Sequence, residues 1–167
     1  MTSHERSDTR LSFDLVAPDA PAALALMHEL VRDLLARYGD GDWHGDVVPE
    51  GCRPPDGAFV VVRAEGRPVA CGGLRAFAPG VAELKRMYVS PAARGRGVAR
   101  ALLAHLEDLA RARAYHTMRL EAGAQQPEAL RLYEAAGYRH VTPGWGVYAD
   151  DPQSAFFEKP LVAPPPR

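Results

Sequence analysis

The sequence predicts an α/β (α+β) fold, with one layered domain built on a mixed, mostly antiparallel sheet. Three observations carry that expectation. Residues 58–64, 68–77 and 81–89 are β-rich runs separated only by tight turns at Glu65-Gly66-Arg67 and Ala78-Pro79-Gly80, the pattern of an antiparallel meander. The third run feeds a long amphipathic helix and then residues 117–121, a strand able to lie parallel to it as a right-handed crossover. A length of 167 residues with 47% hydrophobic and 25% charged side chains supplies one sizeable core and not two.

Residues 1–9 are polar and read as a flexible N-terminus, residues 10–162 as the single domain, and residues 163–167 as a proline-rich tail. Residues 11–17 alternate Leu11, Phe13 and Leu15 with Ser12 and Asp14, a strand signal. A helix follows, with Asp19 as its expected cap, Pro21 in its first turn, and a stripe of Leu24, Met27, Leu30, Val31, Leu34 and Leu35. It is expected to run to about Tyr38 and stop at Gly39. Residues 39–57 form a long acidic, Gly- and Pro-rich loop with Trp43-His44 at its centre, long enough to be functional or simply a surface loop anchored by Trp43.

After the meander, a helix is predicted from about Gly95 to Arg113, with Val98, Leu102, Leu103, Leu106, Leu109 and Ala110 on one face. Residues 127–136 give a shorter helix ended by Gly137, and residues 138–141 and 155–160 a last pair of strands. The element order is therefore β-α-β-β-β-α-β-α-β-β.

The formal net charge of −1, from 20 basic and 21 acidic residues, gives no support to nucleic-acid or membrane binding as a general property. The N-terminal stretch has no apolar secretory core and no apolar run has the length of a membrane span, so the expected location is the cytoplasm. Cys52 and Cys71 lie in no C-x-x-C pattern and read as free or buried thiols. The six histidines are scattered, without metal-ligand spacing, and no metal is expected. No G-x-S-x-G turn suggests an acyl-enzyme.

The chain is organised around residues 82–100, AELKRMYVSPAARGRGVAR. An apolar strand ends at Ser90-Pro91, and a loop with Arg94, Gly95, Arg96 and Gly97 opens into the long helix. Glycines let backbone approach an anion, the helix N-terminus offers unpaired N–H groups, and arginines add forked donors for phosphate. Gly95-x-Gly97 fits a dinucleotide fingerprint poorly: Arg100 stands where a third glycine is wanted, and five residues separate Val89 from Gly95. No G-x-x-x-x-G-K-[ST] is present, which excludes a P-loop nucleotide hydrolase.

Arg94-Gly95-Arg96-Gly97-Val98-Ala99 matches the R/Q-x-x-G-x-G/A motif of the GNAT superfamily of N-acetyltransferases. The runs Glu83 to Val89 and Leu132-Tyr133-Glu134-Ala135-Ala136-Gly137-Tyr138 resemble that superfamily's other landmarks, in the same order. The resemblance spans residues 69–161. It implies a sheet of about six to seven strands with a splayed central parallel pair, flanked by about three to four helices. It also implies acetyl-CoA as acetyl donor, its pyrophosphate on the amides of Arg94, Gly95, Arg96, Gly97, Val98, Ala99 and Arg100, and its pantetheine arm along Met87, Tyr88 and Val89. Tyr133 stands where the family has a proton donor for the departing thiolate, and Glu83 where it often has a carboxylate base. Each has a structural alternative, Tyr133 as a packing residue and Glu83 as an ion-pair partner of Lys85 or Arg86; Arg75 and Glu121 are weaker candidates. Gln126 replaces the asparagine that the family places seven residues before the tyrosine, where it either contacts the pantetheine arm or caps a helix.

The acceptor is expected to be a small cationic or amino-acid-like primary amine, because residues 39–57 are acidic and residues 144–154 carry Trp145, Tyr148, Asp150 and Asp151. A protein or peptide amine, or an acyl-CoA-sensing module without turnover, are the alternatives. A homodimer stays open.

Overall fold

The structure is a computed structural model that describes residues 10–39 and 46–161. The N-terminal nine residues, Trp43-His44 in the acidic loop, and the proline-rich tail lie outside the described residues. The chain order is β1 (Leu11–Val16), α1 (Pro21–Tyr38), β2 (Ala58–Ala64), β3 (Arg67–Ala78), β4 (Val81–Val89), α2 (Val98–Ala112), β5 (Thr117–Gly123), α3 (Pro127–Ala135), β6 (Arg139–His140) and β7 (Ser154–Pro160). Short 3-10 turns occupy Pro91–Ala93 and Gly146–Tyr148. The seven strands form one sheet in the order β1-β2-β3-β4-β5-β7-β6. Every neighbouring pair is antiparallel except β4 and β5.

Both faces of the sheet are covered. Leu26, Met27 and Leu30 of α1 pack on Phe59, Val61, Cys71 and Tyr88. Leu102, Leu103 and Leu106 of α2 pack on Val60, Val62, Leu74, Leu84, Met118 and Leu120, with Tyr133 of α3 and Phe157 in the same cluster. Strand β2 thus buries alternate residues in opposite cores, which is why its sequence reads as unbroken apolar residues rather than alternation.

Two expectations at helix starts are corrected. Helix α1 is capped by Ala20 without a side-chain hydrogen bond, and Asp19 instead pairs with Arg53 at 3.2 Å. Helix α2 begins at Val98, not near Gly95, because Gly95 and Gly97 take φ of +76° and +78°, outside the right-handed helical region.

The parallel pairing of β4 with β5 covers only Val81↔Thr117, Ala82↔Met118 and Glu83↔Arg119. Strand β5 then stays with β7 to Gly123↔Ser154, whereas β4 stays with β3 to Ala70↔Val89. A bulge redirects β4: the pairing steps from Gly73↔Lys85 to Cys71↔Tyr88, so Arg86 and Met87 oppose Gly72 alone, and Arg86 takes φ of +58°. Gly72 is needed there, because a Cβ would sit 2.9 Å from Met87 Sδ and 3.0 Å from Leu106 Cδ1.

On the far side of α2, buried Glu107 ties the helix to the last strands. It accepts hydrogen bonds from Tyr138 Oη at 3.0 Å and from Lys159 Nζ at 2.9 and 3.1 Å, with Arg111 Nη2 at 3.7 Å. Removing Glu107 leaves Tyr138 Oη and Lys159 Nζ without their acceptor. Glu107→Ala is expected to cost about 3 kcal/mol of unfolding free energy in a urea titration. Asp14→Asn, which breaks the part-exposed Asp14–Arg63 pair at 2.9 Å, is expected to cost less than about 1 kcal/mol. Equal, small losses for the two variants would show that the buried network adds nothing.

Candidate active site

Where β4 leaves β5, the sheet opens into a cavity of about 330 Å³. Its walls come from Leu84, Lys85, Arg86 and Met87 of β4, from Leu120, Glu121, Ala122 and Gly123 of β5, and from Leu30, Leu34, Leu35 and Tyr38 of α1. Gln126, Ala129 and Tyr133 close one side, and Val147, Tyr148, Asp151, Gln153 and Ser154 the mouth. Beyond Glu83 the edge of β4 that faces this space has no strand partner, so backbone groups there other than the Val89 and Arg86 carbonyls, which accept from Arg94 and Cys71, are open to a ligand.

The end of α1 holds this side of the cavity shut against β5 and α3. Tyr38 Oη accepts the Gln125 N–H at 3.0 Å, Arg37 donates to the Gln125 carbonyl at 3.2 Å, and Arg37 pairs with Glu128. Gly123 makes room for the contact: a Cβ there would fall 2.0 Å from Tyr38 Oη.

The glycine loop stands at the end of β4. A Cβ on Gly95 or Gly97 would meet nothing within 4 Å, so the glycines serve the positive φ and leave the loop's outer side open. Helix α2 has no acidic residue in its first turn and no side-chain cap, which leaves its N-terminal N–H groups and dipole to an anion. Arg94 Nε donates to the Val89 carbonyl at 2.9 Å and its guanidinium lies 5.7 Å from the Tyr88 ring centre, so Arg94 ties the loop to the strand. Arg96 and Arg100 are exposed, Ala99 is half-buried and Val98 anchors the helix start in the core. These residues form a cradle that suits a phosphorylated ligand, with Met87 leading from it into the cavity.

Tyr88 and Val89 face opposite cores. Tyr88 packs beneath α1, where burial pushes its hydroxyl up to about 12, and Val89 packs on the α2 side. Gln126 lines the cavity and precedes α3, but its side chain makes no cap; the backbone carbonyl receives the Ala129 and Leu130 N–H groups instead.

The structure brings Tyr133 to the cavity and holds Glu83 away from its lining. Tyr133 is 5% exposed, with its ring against Tyr138 and Phe157, and its hydroxyl makes no hydrogen bond among the described residues. Burial, and then the charge of Glu121, raises its pKa above the ordinary tyrosine range, so it keeps its proton. Glu83 is 4% exposed and both carboxylate oxygens are engaged. Arg75 donates to Oε1 through Nε at 2.8 Å and Nη2 at 2.7 Å, and the Trp145 indole donates to Oε2 at 2.9 Å. Trp145, expected at the mouth, is held instead between Phe77 and Phe156 with Arg119 over its ring.

Two cavity residues stand out that the sequence reading weighted too lightly or passed over. Glu121 is half-buried, and burial raises its carboxyl pKa, against the pull of Ser154 and Lys85; Asp151 adds to the rise. Lys85 faces it from β4, its pKa lowered by burial against the pull of Glu83 and Glu121. The signal was present in the alternation: Leu84 and Leu120 enter the α2 core, which turns Lys85 and Glu121 to the other face. Cys52 and Cys71 are buried free thiols outside the cavity lining, pushed up to about 11 and about 12 by burial, which suits core residues rather than nucleophiles.

Comparison with known proteins bears on what this arrangement is. Residues 24–138 match the model of the Acetyltransferase (GNAT) family. The chain is 42% identical over 108 residues to an IAA acetyltransferase of Azospirillum brasilense, covering 64% of this chain and 70% of that protein. A solved Klebsiella pneumoniae structure of the acyl-CoA N-acyltransferase type superposes with a TM-score of 0.76 at 31% identity, covering 91% of this chain and 98% of that one. The PaiA N-acetyltransferase of Thermoplasma acidophilum, solved in complex with coenzyme A, shares the fold with a TM-score of 0.69 at 16% identity, covering 90% and 99%. The seven-stranded sheet with one splayed parallel pair is the expected architecture. The chain belongs to the GNAT family and is an acyl-CoA-dependent N-acetyltransferase.

Proposed function

We propose that the protein transfers the acetyl group of acetyl-CoA directly to the primary amine of a small, amino-acid-like molecule, with Tyr133 as general acid and Glu121 as general base. The observation that carries this reading is the shared cavity: Glu121 and Tyr133 line one space, opposite the unpaired edge of β4. The open cradle of Gly95, Gly97 and the α2 N-terminus fits the pyrophosphate of acetyl-CoA, with Arg96 and Arg100 beside it, Met87, Tyr88 and Val89 along the pantetheine arm, and Gln126 as a further amide contact. When bound, acetyl-CoA supplies an acyl carbon activated as a thioester.

The residues divide the proton transfers between them. As the acceptor nitrogen bonds to the acyl carbon and the C–S bond breaks, Glu121 takes the amine proton and Tyr133 gives its proton to the departing sulfur. Backbone N–H groups on the free edge of β4 are placed to donate to the oxygen where negative charge develops. Glu83 has no free carboxylate oxygen for this work; its bonds to Arg75 and Trp145 fix the end of β4 from which the strands part. A protein or peptide acceptor gains no specific support from this cavity, whose volume suits a small molecule.

Thiol release from acetyl-CoA with a panel of amines tests the assignment. Tyr133→Phe is expected to lower kcat about 10²-fold with little change in the KM for acetyl-CoA. Unchanged turnover would remove Tyr133 from the chemistry. The raised pKa of Glu121 means that it stays protonated, and unable to accept, up to a higher pH than an ordinary glutamate. Activity should therefore fall as pH falls through that value, and Glu121→Gln should lower kcat and abolish this acidic limb; a limb that persists in the variant would assign the base elsewhere. Gly97→Ala should raise the KM for acetyl-CoA roughly tenfold if about 1.4 kcal/mol of binding rests on the loop's geometry. An unaltered KM would place the pyrophosphate off this loop.

A further inference from the structure

The cavity sorts its charges by strand. On the β4 side stand Lys85 and Arg86; on the β5–β7 side stand Glu121 and, at the mouth, Asp151. The guanidinium of Arg86 is committed to the backbone, donating to the Val47 carbonyl at 3.2 Å and the Asp46 carbonyl at 2.8 Å. Lys85 is different. Its side chain is 24% exposed, its one ion-pair contact among the described residues is Glu83 Oε1 at 4.0 Å, and that oxygen already receives two shorter bonds from Arg75. No carboxylate among the described residues is left for it at hydrogen-bonding distance. A partly desolvated ammonium without a close anion is costly unless a ligand completes it. Glu121 faces the same space with a side chain that no described cation pairs within 4.0 Å.

We propose that the acceptor is an aminocarboxylate, an amino acid in the first instance, whose carboxylate is bound by Lys85 while its amine is presented toward Glu121. This rests on the acetyl-transfer reading above and deepens it, from an amino-acid-like amine to a zwitterion whose carboxylate has an assigned partner. It also turns aside the cationic acceptor that the acidic loops suggested: a polyamine brings no group for Lys85 and meets like charge on the β4 wall. The gap between β4 and β5 separates the two charges, so an acceptor that bridges it lies across the opening between the strands, beside the free edge of β4.

The test compares matched acceptors: the proteinogenic L-amino acids, their primary amides, and the amines formed by decarboxylation, each read by thiol release from acetyl-CoA. At least one amino acid should be acetylated, and its amide and decarboxylated amine should fall about 10²-fold in kcat/KM, the usual scale for losing one partner of a desolvated charge pair. Lys85→Met and Lys85→Gln, checked for unaltered urea midpoints, should raise the KM for the amino acid, erase its advantage over the amide, and leave the KM for acetyl-CoA unchanged. Lys85→Arg should restore part of the advantage. Equal or better turnover of carboxyl-free amines by the wild type, or an undiminished preference for the acid in Lys85→Met, would overturn the inference while acetyl transfer itself stood. Absence of thiol release from every acceptor would overturn both readings together.

Discussion

Strands β4 and β5 hydrogen-bond through three residue pairs and then separate, and the candidate site lies in that separation. A sheet edge inside a domain is ordinarily closed, because unpaired backbone groups away from water are costly. Here the cost is accepted over the second half of β4. Two features hold the strands apart. Strand β5 is bound to β7 along its whole length, and the bulge of Arg86 and Met87 opposite Gly72 turns β4 toward β3 and away from β5. Even a methyl group on Gly72 would meet Met87 and Leu106, so the bulge and the core beneath it are adjusted to one another. The opening that results lets a ligand add hydrogen bonds to the sheet from within.

The same separation gives two carboxylates different surroundings. Glu83 lies at the last paired position, closed in by Arg75 from the neighbouring strand and Trp145 from the loop before β7. Glu121 lies two residues beyond Arg119, the partner of Glu83, where the pairing has already stopped, and there its surroundings are the cavity and Tyr133 rather than arginine. Two glutamates on one face of one sheet thus have opposite fates. One is held by Arg75 and the Trp145 indole and holds structure; the other is only partly compensated, and burial makes it a stronger proton acceptor.

Much of the architecture was legible from periodicity. The three-strand meander, the crossover helix and the tyrosine helix follow from runs of period two and 3.6 punctuated by Gly and Pro, signals that are local. The candidate site was legible in the parts that are local as well: the proposed roles of the Arg94 to Ala99 loop and of Tyr133 come from contiguous motifs. What sequence reading placed less well depends on register. That Arg75 falls opposite Glu83 follows from a pairing whose register shifts twice, and that Trp145 reaches Glu83 is a contact across 62 residues. No local pattern encodes either. The start of α2 was misplaced for a local reason, since glycines at positive φ read as loop only when their backbone angles are known.

The two faces of the sheet carry different demands. The proposed donor cradle is made of backbone at the junction of β4 and α2, and a helix dipole with glycine amides is indifferent to most side chains around it. The proposed acceptor side is lined by residues from α1, β4, β5 and the loop before β7. Their mutual placement is fixed by a few long-range ties: Tyr38 and Arg37 to the start of α3, Arg86 to the backbone at residues 46–47, and Ser90 to Glu29 at 2.9 Å. The ties of Tyr38 and Arg37 lie away from the glycine loop, whereas Ser90 stands at its start. On the proposed reading, donor recognition rests mainly on main chain and acceptor choice on side chains from several elements.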